Sequence, residues 1–143
     1  NDVRKQKLAA ALQLLLPGMP MIYYGDEVGM DGAMDPDCRR GMLWDPDRQD
    51  RELFGYYQTL IRIRHDHPAL TEGTVVEQYA DDDTGLIYIE RTLNGQHIIL
   101  VFHTREGSAG LQSLQGMKNL VGGSVFTGTL GDYETVVLVN ETA

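Results

Sequence analysis

Near residue 70 the apolar residues of this chain change their period, and that change constrains the fold more than any other feature. Before it they recur at helical spacing; after it they alternate. A repeat near 3.6 places side chains on one face of a helix, while a repeat of two places them on one face of a strand. The expected fold class is therefore α+β. Residues 1–70 should form a helix–strand–helix unit, and residues 71–143 a small antiparallel all-β sandwich.

In the first unit Asp2 is a suitable N-cap for a helix that carries Leu8, Leu12, Leu15 and Leu16 on one broad face. Pro17-Gly18 should stop it. Met21 to Tyr24 is a short apolar run between Pro-Gly and Gly-Asp-Glu. Continuous apolarity over so few residues suits a strand buried on both faces of a parallel sheet. Its carboxyl end opens into a long loop, Gly25 to Arg51, with eight acidic residues. Loops of that length within a domain usually carry function or are disordered. A second helix is expected from about Arg51 to His65, with Leu53, Tyr57, Leu60 and Ile61 at helical spacing, ending before Pro68.

In the second unit, strands are expected at Thr74–Tyr79, Leu86–Leu93, Gln96–His103 and Tyr133–Val139, with shorter ones at Lys118–Val121 and Ser124–Phe126. Asn94-Gly95 lies between two apolar runs and predicts a type I′ hairpin, which needs positive φ at both positions. Alternation along separate hairpins should give this unit its own core.

Asp35-Pro36-Asp37-Cys38-Arg39-Arg40, with Met42 and Trp44 behind it and the Pro17–Met30 run ahead of it, resembles the α-amylase family of glycoside hydrolases, family thirteen. The resemblance is to its neopullulanase and cyclomaltodextrinase branch and covers nearly the whole chain. It implies that residues 1–70 are the last helix–strand–helix of a (β/α)8 barrel and residues 71–143 the C-terminal β domain. It further implies a parent enzyme that cleaves α-1,4-glucosidic bonds of maltodextrins, cyclodextrins or pullulan with retention of configuration. In that family the catalytic carboxylates sit on earlier barrel strands. This chain would then hold no catalytic residue and be inactive alone, its chief partner being the missing N-terminal part of the barrel. No organic cofactor is implied, and calcium belongs, if anywhere, to the parent.

The resemblance gives Asp35 and Arg39 the role of substrate-binding residues that hold one glucose ring. The chemistry fits, because a carboxylate accepts and a planar guanidinium donates hydrogen bonds to neighbouring hydroxyls. Spacing alone is equally served by an ion pair that braces the loop. Gly41 stands where the resemblance leads one to expect proline. Asp26 and Glu27 are adjacent, so their side chains diverge, whereas retaining hydrolysis needs carboxyls about 5 Å apart; the resemblance makes Glu27 a structural hydrogen-bonding residue. Asp31, Asp35 and Asp37 lack the spacing of a calcium loop. Asp81-Asp82-Asp83 reads as a solvated turn, His65/His67 and His97/His103 are wrongly spaced for shared metal ligation, and Cys38 reads as a passive loop thiol.

Net charge −9 excludes nucleic acid and anionic membranes as natural partners. No apolar stretch approaches a membrane span. The single cysteine forbids an intrachain disulfide and favours a reducing compartment, so a cytoplasmic protein is expected. Two rival readings remain. Residues 70–143 as an autonomous carbohydrate-binding module would need a ridge of exposed aromatics among Tyr79, Tyr88, Phe102, Phe126 and Tyr133; a purely structural or dimerisation domain would not. A barrel strand without its neighbours should also drive self-association, most simply a dimer exchanging helices, unless the helices fold back onto the sandwich.

Overall fold

The computed structural model describes residues 2–140. Helix α1 spans Val3–Leu15 and α2 spans Arg51–Asp66. Asp2 caps α1 by accepting from Arg4 N, and Asp50 caps α2 by accepting from Leu53 N. Each satisfies one of the amide donors that a helix start leaves unpaired. Seven strands follow: β1 Thr74–Asp81, β2 Leu86–Leu93, β3 Gln96–His103, β4 Ala109–Gly110, β5 Lys118–Asn119, β6 Thr129–Leu130 and β7 Thr135–Val139.

The main sheet has five strands in the order β1-β2-β3-β7-β5, all antiparallel, and β4 pairs with β6 in a small second sheet. The β2–β3 turn is built on Asn94 at φ 50° and Gly95 at φ 83°, as the sequence anticipates. Asp81 turns the β1–β2 hairpin by accepting from Asp83 N at 2.9 Å and from the Thr84 hydroxyl at 2.8 Å. Val125 makes only an isolated bridge to Lys118, so the strand expected at Ser124–Phe126 does not form.

Alternation gives the main sheet two apolar faces. Leu86, Tyr88, Ile99, Val101, Val136 and Leu138 meet Ala109, Phe126 and Leu130. On the other face Ile89, Ile98, Leu100, Phe102 and Val137 share a core with Leu8, Leu15, Leu53 and Leu60 of the helices. The core therefore runs unbroken across residue 70. That corrects the expectation of a self-sufficient β unit: one of the two apolar faces of its main sheet packs against α1 and α2. The helices thus do fold back onto the sheet of their own chain. Their faces are also rotated from those expected. In α1 Leu14, Ala10 and Ala11 are buried beside Leu8 and Leu15, and in α2 Ile63 takes the place expected of Ile61, which is exposed.

The join between helices and sheet is tightly made. The buried guanidinium of Arg91 donates to Leu70 O, and to Gly73 O at 2.6 Å. Burial, with the charge of Arg64 nearby, holds the Arg91 pKa below the usual arginine range. A Cβ on Gly73 would lie 2.4 Å from Ala69 O and 2.8 Å from Thr92 O, so the backbone passes there only as glycine.

The largest departure concerns Met21–Tyr24, which pairs with no strand. A parallel strand is defined by its neighbours, and none lies beside it among the described residues. It belongs to no regular element and is tied where Gln13 donates to Met21 O and where Asp26 N donates to Tyr23 O at 3.1 Å. Ahead of it, Arg64 donates to Leu14 O, Leu16 O and Gly18 O at 2.9, 3.2 and 2.6 Å. A cation thus satisfies the carbonyl end of α1, where the helix dipole favours positive charge. No helix among the described residues is long and apolar enough to cross a membrane.

Candidate functional site

The loop between residues 21–24 and α2 carries both Asp35 and Arg39. It is organised by three short 3-10 turns, Asp26–Val28, Asp37–Arg39 and Pro46–Arg48. The Asp37–Arg39 turn matters most because it sends adjacent arginines to different carboxylates. Arg40 donates to Asp37 through Nε at 2.7 Å and Nη2 at 2.6 Å, a fork-on-fork pair. Asp37 also accepts from Ala33 N at 2.9 Å, and Tyr24 donates its hydroxyl to Arg40 O at 2.7 Å. Hydrogen bonding from Arg40, then from the Ala33 amide, holds the Asp37 carboxyl below the usual carboxylate range and raises Arg40 correspondingly.

Arg39 is differently placed. It makes one bond to Asp35, Nη2 to Oδ2 at 3.1 Å, and the two side chains are 69% and 59% exposed. The sequence pairs Asp35 with Arg39 correctly, but it misses that Asp37 and Arg40 are the pair that braces the loop. Bracing and display are thus divided between two ion pairs one or two residues apart. What sequence offers for telling them apart is slight: the three-residue spacing of Asp37 and Arg40 fits a single tight turn.

Glu27 accepts from Gly25 N at 2.8 Å, closing the turn in which it sits. This is the structural role expected of it. Burial, and secondarily Glu27, raise the Asp26 carboxyl pKa. Among the described residues no group of three or more His, Cys, Asp or Glu side chains is disposed to hold a metal ion. His65 bonds Asp66, His67 bonds Ile63 O, His97 bonds Glu90 and His103 bonds Gly131 O, so each imidazole has its own partner. Tyr88, Phe102 and Phe126 are buried; Tyr79 is partly exposed and stacks on Tyr88 with ring centres 4.9 Å apart. Tyr133 lies under Arg4 and Lys5. These aromatics form no exposed ridge, which removes the feature an autonomous carbohydrate-binding module needs.

No family model matches the chain. Individual relatives do. It is 46% identical over 101 residues to neopullulanase 2 from Thermoactinomyces vulgaris, covering 71% of this chain and 17% of that protein. It is 42% identical over 117 residues to a cyclomaltodextrinase from a Bacillus species, covering 82% and 21%. The chain is thus similar to the C-terminal part of neopullulanases and cyclomaltodextrinases, glycoside hydrolases of the α-amylase family. The maltogenic amylase from S. marinus superposes on all of this chain with a TM-score of 0.86 at 29% identity, over 20% of its own length. The chain therefore spans about a fifth of the length of these three proteins.

Proposed function

We propose that this chain is the C-terminal part of a retaining α-glucan hydrolase, in which Asp35 and Arg39 hold a glucose ring of the substrate. The parent cleaves α-1,4-glucosidic bonds of maltodextrins, cyclodextrins or pullulan by double displacement, with its catalytic carboxylates outside this sequence. One observation carries the role of Asp35 and Arg39. The loop is already braced by Asp37 and Arg40, so an exposed, singly bonded Asp35–Arg39 pair serves little structural purpose. Its unused lone pairs and N–H groups match the alternating hydroxyls of a sugar.

On this reading residues 1–70 complete a catalytic barrel and residues 71–143 form the β domain that buttresses it. The rest of the barrel supplies the parallel neighbours of Met21–Tyr24. The chain by itself associates through that segment, and a single cysteine supports a cytoplasmic setting.

The test is a titration of the isotope-labelled chain with maltotriose, followed by amide NMR. Shifts should concentrate at residues 35–39 and vanish in Arg39→Ala. Loss of a charged hydrogen bond to ligand costs on the order of 1.5–3 kcal/mol, so a complete enzyme bearing Arg39→Ala should show raised KM or a changed product pattern. Unchanged sugar binding with a loosened loop would reduce Arg39 to a structural residue.

A further inference from the structure

We propose that Trp44 is the platform of a second sugar position, taking one further glucose ring of an α-glucan next to the ring held by Asp35 and Arg39. This rests on the reading of that pair given above. Trp44 is the only tryptophan of the chain, and its side chain is 80% exposed. It lies on a groove of about 420 Å³ lined also by Met30, Asp31, Arg40, Asp45 and Arg48. That volume falls within the range of small-ligand sites. Arg40, which lines the groove, is also the C-cap of the Asp37–Arg39 turn, so the groove borders the turn that displays the first pair.

The indole is mounted on a fixed backbone. Leu43 N donates to the Met30 sulfur at 3.3 Å, and Leu43 O accepts from Gln49 at 2.7 Å. On its other side, the Asp45 carboxylate caps the Pro46–Arg48 turn by accepting from Asp47 N at 3.1 Å. Trp44 is therefore exposed on a rigid segment between two anchored residues.

The groove's polar groups have spare capacity. Among the described residues Asp31 engages only through its carbonyl, toward Arg40 at 3.4 Å, leaving its carboxylate open. Arg48 engages only through its backbone N–H, toward Asp45 O at 3.2 Å, leaving its guanidinium open. Two carboxylates and two guanidinium groups line the groove, so their formal charges cancel. A neutral ligand with an apolar face and a rim of hydroxyls meets all of this: the ring's C–H face lies on the indole and its hydroxyls reach the charged groups. A covering protein surface is the competing explanation for an exposed indole. The centre of such an interface is depleted of charged residues, whereas here four of them line the groove with Trp44.

The lone tryptophan makes the test direct. Maltotriose titrated into the full chain should change Trp44 emission saturably, alongside the amide shifts at residues 35–39. Trp44→Phe and Trp44→Ala, checked for native circular dichroism, should keep the site at Asp35–Arg39. Trp44→Ala should weaken trisaccharide binding about tenfold, the scale of one aromatic stacking contact, with Trp44→Phe intermediate and glucose binding unaffected in both. Shifts at residues 35–39 with unmoved Trp44 emission, or equal trisaccharide affinity in Trp44→Ala, would overturn the second position and leave the first standing. Silence at both places would overturn both.

Discussion

Asp37 accepts two hydrogen bonds from Arg40, at 2.7 and 2.6 Å, and this pair sets the shape of the acidic loop. It explains how Asp35 and Arg39 can remain so exposed without the loop losing its form. The amide of Ala33 and the hydroxyl of Tyr24 extend the same network to both flanks of the turn.

A pH dependence follows. The Asp37 carboxyl titrates below its ordinary value of 3.8 because Arg40 and the Ala33 amide favour its charged form. A depressed folded pKa contributes order above the unfolded pKa, and that contribution fades as pH falls through the folded value. Loop order, read by amide exchange at residues 31–40, should hold at pH 5 and above and decline below about pH 4. Asp37→Asn should remove this acid transition, while Asp35→Asn should leave it in place. A transition that persists in Asp37→Asn would assign it to another carboxylate.

The chain alone should hydrolyse neither maltodextrin nor cyclodextrin. Retaining hydrolysis needs two carboxyl groups about 5 Å apart across the scissile bond. Of the adjacent acids in the loop, Glu27 is spent on the Gly25 amide. Reducing-sugar release should match a buffer blank at any concentration of chain. Turnover that survives repurification with the 143-residue species would contradict this.

Local signals were legible wherever a few neighbouring residues decide the outcome. Asp2 marks the first helix start, Asn94-Gly95 the hairpin, and alternation returns the limits of β2 and β3 to the residue. Met21–Tyr24 was illegible for the opposite reason: whether an apolar run becomes a strand depends on partners far away or absent. The two-residue pairing of β4 with β6 is too short to leave a period. The shared core was only one of two alternatives because alternation reports that a face is buried, not what buries it. At the site, chemistry made Asp35 and Arg39 visible, yet only geometry separates them from the bracing pair.

Gly73 should tolerate no side chain. Its would-be Cβ meets two backbone carbonyls, Ala69 O and Thr92 O, and neither can swing aside as a flexible side chain would. Gly73→Ala should lower stability by about 1–3 kcal/mol, the usual scale of overpacking, measured by urea unfolding. Gly95→Ala also introduces a Cβ at positive φ, but into open space. It should cost about 1 kcal/mol, the penalty of a left-handed residue alone. Equal effects would mean that the 69–73 backbone yields more easily than its contacts suggest.

The last prediction concerns the segment at residues 21–24. Met19 and Met21 are 95% and 69% exposed, with Tyr23 and Tyr24 beside them also in solvent. Its backbone ties are few, Met21 O to Gln13 and Tyr23 O to Asp26 N at 3.1 Å, so the segment still presents backbone groups along an apolar stretch with no strand beside it. Such an edge is a template for pairing. Because α1 and α2 already cover the sheet of their own chain, association needs no exchange of helices. Light scattering after size exclusion should show a concentration-dependent dimer at micromolar chain. Met21→Lys should return it to monomer without changing the melting temperature, since that side chain packs against nothing in the core. A monomer at every concentration, with slowly exchanging amides at residues 21–24, would mean that the segment satisfies itself within one chain.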